Sequence, residues 1–86
     1  MSVETLPFIA AVGRMIRAAG RRTADADEPE LAALMALEVD VRRAIQTAVD
    51  GQLAIGRTWS HIASAAGITR QAAHKRWSRK DAEVTR

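Results

Sequence analysis

Between Arg57 and Trp77 a small residue, a glycine and a capping hydroxyl recur at intervals that only a few folds satisfy. The run Arg57-Thr-Trp-Ser-His-Ile-Ala-Ser-Ala-Ala-Gly-Ile-Thr-Arg-Gln-Ala-Ala-His-Lys-Arg-Trp77 places Ala63 four residues before Gly67, and Ile68 and Thr69 follow at once. Gly67 suits a turn with positive φ, a conformation that costs any residue carrying a Cβ. Ala63 is small enough for two helices to cross closely, and Ile62 and Ile68 fill the space between them. Thr58 and Thr69 stand where a side-chain oxygen caps a helix start. The spacing predicts a helix-turn-helix over 58–78. Its second helix carries Arg70, Gln71, His74 and Lys75 on one side, with Ala73 and Trp77 on the other. That is a donor-rich face over an apolar seam.

The rest of the chain also reads as helix. No alternating apolar and polar stretch marks a strand, and β-branched residues never cluster. The expected fold is all-α: an N-terminal helix over 7–21, a long central helix over 28–55, then the C-terminal pair. At 86 residues this is one small domain, 1–86, with a core built mainly from helix packing. Pro7 is tolerated in a first turn, and Gly20 is the expected stop of the first helix. Phe8, Ile9, Val12, Met15, Ile16 and Ala19 repeat at helical spacing, and Arg14, Arg17 and Arg21 form a stripe on another face. The apolar stripe is expected to cover the central helix. Asp27 caps that helix, and Glu28, Pro29 and Glu30 suit its start, where the dipole favours negative charge. Gly51 lies inside the apolar pattern and costs about 1 kcal/mol relative to alanine. The helix is still expected to continue to Ile55 and stop at Gly56. The polar tail 79–86 is expected to fray.

Charge is distributed unevenly. Residues 1–22 carry a net +3, residues 23–51 a net −5, and residues 52–86 a net +5. A polyanion therefore meets the C-terminal part first. With no cysteine, disulfides and cysteine-based zinc sites are excluded. His61 and His74, on different expected helices, read as surface histidines rather than metal ligands. No apolar run reaches the ~20 residues of a membrane span, and no basic leader precedes an apolar stretch. The expectation is a cytoplasmic, nucleoid-associated location with no membrane role. Ser60 and His61 are neighbours with no acid placed to orient them, so no catalytic residue, enzyme activity or cofactor is expected.

The expected partner is double-stranded DNA. Arginine matches O6 and N7 of guanine, and glutamine matches N6 and N7 of adenine. Arg70 and Gln71 stand in the first turn of the second helix, the part that enters a major groove deepest, with His74 and Lys75 one turn on. Thr69 and Ser60 can donate to phosphates, and Arg57, Arg76, Arg79 and Lys80 are phosphate contacts. Trp59 and Trp77 fall on apolar sides and read as core wedges among alanines, not as stacking platforms.

The stretch Gly56–Trp77 resembles the helix-turn-helix of small DNA-binding proteins of GC-rich, actinobacterial-type bacteria. Their pattern runs Gly-x-Ser/Thr-Trp-x-x-Ile-Gly/Ala-x-Ala-x-Gly-Ile/Val-Ser/Thr-Arg-Gln-Ala-Ala-x-x-Arg-Trp/Phe, and the match covers about a quarter of the chain. The resemblance implies DNA recognition through Thr69, Arg70, Gln71 and His74. The segment Asp27-Glu-Pro-Glu-Leu31 resembles what precedes the motif in many such proteins. The expected function is sequence-specific transcriptional regulation by a homodimer, joined through the N-terminal helix and the apolar face of the central one. The alternatives are an architectural nucleoid protein and a protein-interaction module such as an antitoxin. No small-molecule ligand is evident.

Overall fold

A computed structural model describes residues 4–78. They form four helices and no strand: α1 (Thr5–Thr23), α2 (Glu28–Ala54), α3 (Trp59–Ala66) and α4 (Arg70–Trp77). The all-helical class agrees with the sequence reading, and the bounds differ from it at several ends. Pro7 is the third residue of α1, still within the first turn, where a missing N–H leaves no hydrogen bond unmade. Gly20 does not stop α1. The helix runs on to Thr23, and the Ala24 N–H donates to the Gly20 carbonyl at 3.1 Å. Arg21 and Arg22 occupy this last turn, where positive charge meets the negative end of the helix dipole and offsets part of the glycine's cost.

Asp27 stands at the expected start of α2, and Glu30 supplies the side-chain bond there. The Asp27 carbonyl accepts from the Leu31 N–H at 3.1 Å, and its own N–H donates to Glu30 Oε1 at 3.2 Å. This return bond from the third helical residue satisfies a donor that the helix start leaves open. Gly51 does not interrupt α2, which ends at Ala54, one residue short of the expected last helical residue, Ile55. Gly56 then takes a φ of 98°, its N–H donating to the Leu53 carbonyl and the next N–H, of Arg57, to that of Gln52. Both bonds satisfy carbonyls that the helix end would otherwise orphan.

The chain divides into two compact units, 1–40 and 41–86, with α2 contributing to each. In the second unit, Val49 of α2, Ile62 and Ala63 of α3 and Ala73 of α4 are buried, and Leu53, Trp59, Ile68 and Trp77 pack around them. Both tryptophans are thus half-buried wedges against a core that is half alanine, as their spacing predicts.

The first unit departs from expectation. Its described residues hold α1, the turn into α2 and the first half of α2, and none of them is buried. The apolar stripe of α1 does not find cover on α2: Phe8 is 68% exposed and Met15 70%. The physical reason is geometric. Two helices alone enclose no interior, and amphipathic elements need a further layer before their apolar faces leave water. Among the described residues no helix is long and apolar enough to cross a membrane.

Candidate nucleic-acid interface

Local chemistry sets the positions of α3 and α4. Thr58 is extended, and its hydroxyl accepts from the His61 N–H at 3.2 Å, which starts α3. The helix closes eight residues later on Gly67, whose φ is 72°. The Gly67 N–H reaches the Ser64 carbonyl, and the Ile68 N–H reaches that of Ala63 at 3.1 Å. This pair of bonds is the αL glycine stop, and it also drives Ile68 back onto the core beside Ala63. Thr69, again extended, accepts from the Ala72 N–H at 3.0 Å and starts α4. Each cap leaves its helix one fewer open donor.

α3 and α4 pack against each other, and the second half of α2 fastens both. From α2, Gln46 Nε2 donates to the Trp77 carbonyl at 2.8 Å and to Asp50 Oδ1 at 2.9 Å. The first bond satisfies a carbonyl at the end of α4. Gln52 Oε1 lies 3.0 Å from His61 Nε2 and ties α2 to α3. Sequence reasoning missed both glutamines. Gln46 is separated from Trp77 by 31 residues, and no local pattern announces such a bond.

The buried side of α4 fixes what its other side shows. Ala73 is 0% exposed, the most deeply buried residue described. Turning away from it, Arg70, Gln71, His74 and Lys75 are exposed and together line one open depression. These are the four residues expected to form the reading face, and the structure brings them together. None carries a carboxylate, so the face offers hydrogen-bond donors and positive charge, which suit an acceptor-rich anionic surface. His74 also meets the ring of a residue on α3. Its ring stands edge-on to Trp59, with centroids 4.9 Å apart and planes at 67°.

The other described residues of the expected site do not line this depression. The Thr69 hydroxyl is engaged as a cap on α4. Arg57 and Ser60 are exposed at the start of α3. Arg76 lies outside the four-residue depression, its guanidinium 5.2 Å from the Trp77 ring centroid, a cation–π contact. Arg79, Lys80 and the tail 79–86 lie outside the described residues. No group of histidine, cysteine or carboxylate side chains that could hold a metal ion occurs among the described residues. No family model, curated protein or solved structure matches the chain.

Proposed function

We propose that this chain binds double-stranded DNA, laying α4 in the major groove, and that it acts as a sequence-specific transcriptional regulator. One observation carries the reading. Arg70, Gln71, His74 and Lys75 gather on the open side of a short helix whose opposite side is pinned by Ala73 into the core. A helix of eight residues is ~12 Å long, comparable with the ~12 Å width of the major groove. In this helix-turn-helix reading Arg70 and Gln71 address base edges, with His74 and Lys75 beside them. Arg57, Ser60, Thr69, Arg76 and Arg79 address phosphates. The backbone contacts set position, and the base contacts set sequence.

One such helix makes few base contacts. A second copy on a two-fold axis, its reading helix ~34 Å away, supplies the rest. The test is selection from randomised duplex DNA by the full chain over successive rounds, at about 150 mM salt. The expected outcome is enrichment of a palindrome whose half-site spacing reports the dimer. Retained binding without enrichment favours an architectural DNA-binding protein. No binding moves the function to a protein partner and ends the DNA reading.

A further inference from the structure

The first unit has no interior of its own, yet its helices are built to have one. Phe8, Ile9, Met15 and Ile16 of α1 and Leu31 and Met35 of α2 are exposed by 39–70% each. At roughly 200 Å² for a fully exposed large side chain, these six present roughly 700 Å² of apolar surface. Summed over the two helices, that approaches the ~800 Å² that a stable protein interface takes from each partner, polar rim included.

We propose that this surface is covered by the same surface of a second copy. In that dimer the α1 stripe of each protomer packs on Leu31 and Met35 of its partner's α2, and four helices close one core. Charge selects the arrangement. α1 bears Arg14, Arg17, Arg21 and Arg22 and no acid, with Glu4 just before it, and the stretch from Asp25 to Asp40 bears six acids and no cation. Pairing α1 with α1, or α2 with α2, sets like charge against like. Pairing α1 with the other copy's α2 sets unlike charges together. The acids also argue against a lipid cover, because an anionic membrane surface repels the α2 half of the patch while attracting the α1 half. The first unit is then a dimerisation module that gains its core only on association, and the second keeps its own.

Sedimentation equilibrium of the full chain at micromolar concentration, without DNA, tests this directly. The expected result is twice the monomer mass, with helical circular dichroism falling on dilution as the first unit loosens. The double variant Ile9→Glu with Met15→Glu should halve the mass. Trp59 and Trp77 both belong to the second unit, so its tryptophan emission should stay that of the parent and show that this unit remains folded. A monomeric parent overturns the proposal, and so does a dimer that survives both glutamates. A monomeric parent that co-sediments with phosphatidylserine vesicles overturns it in favour of a lipid surface. The surface belongs to the first unit and α4 to the second, so DNA reading is scored separately. If that reading is right, the double variant still binds a single half-site and loses only the gain from joining two. A dimer with no affinity for DNA would retire the DNA reading and leave the dimer standing.

Discussion

Gly67 holds a φ of 72° with open space where a Cβ would stand, so replacing it tests backbone strain without a steric clash. Gly67→Ala is expected to cost ~1–2 kcal/mol, the penalty for placing a Cβ in the left-handed region. For a chain of this size that lowers the melting temperature by roughly 4–8 °C per kcal/mol, measurable by tryptophan emission. Arg70→Ala and Gln71→Ala are each expected to cost ~1–3 kcal/mol on the selected site and to relax preference at one base position. Arg57→Ala should weaken all duplexes alike. Quantitative binding to cognate and scrambled DNA separates these outcomes, and identical behaviour of all three removes the base-reading assignment. At this scale the sequence was highly legible. Thr58, Gly67 and Thr69 act through bonds to residues within five positions, so spacing alone reveals them. The edge-on contact of His74 with Trp59 was not legible, because it depends on how α3 and α4 cross.

Held from both ends, α4 depends on two different kinds of bond. Its start is local, the Thr69 hydroxyl on the Ala72 N–H; its end is remote, the Gln46 amide on the Trp77 carbonyl. Thr69→Ala is expected to cost ~1 kcal/mol, and Thr69→Ser should recover most of it, since serine supplies the same acceptor. Gln46→Leu should cost ~1 kcal/mol through the lost bond. It should also raise amide exchange in the last turn of α4 ahead of the first, which hydrogen exchange resolved by residue would show. Uniform exchange along α4 would mean that the remote bond does not hold the helix end. Periodicity, caps and glycines made the four helices legible as elements. It erred at Gly20, where a glycine inside a helix and a glycine ending one look alike until the bonds around it are known. It also erred on the cover of α1. An apolar stripe shows that a face must be hidden, but nothing in a single chain's periodicity names what hides it.

Across the whole molecule, the net positive charge and the buried core both belong to the second unit, and the charge can be read in solution. Each phosphate neutralised contributes ~−0.9 to the slope of log affinity against log salt. Removing Arg57 should therefore flatten that slope by ~0.9 per copy, whereas Gln71→Ala should leave it unchanged. A salt series on one duplex decides between them. The buried set of the second unit is Val49, Ile62, Ala63 and Ala73, so half of it is alanine. Cores are usually probed by cutting large side chains down, and sensitivity then follows size. Here the two alanines have almost nothing to lose, and at 3% and 0% exposure they can grow only by displacing a neighbour. Enlarging them, as in Ala73→Val, forces helices apart at ~1–3 kcal/mol, and the displaced helix is the one that bears Arg70 and Gln71. A saturation library of this chain should therefore tolerate exchange among larger apolar residues at Val49 while rejecting almost everything at Ala63 and Ala73. Its mutational profile would mark where α3 and α4 pack on one another, and with it the steric ceiling under which any new binding specificity must be built.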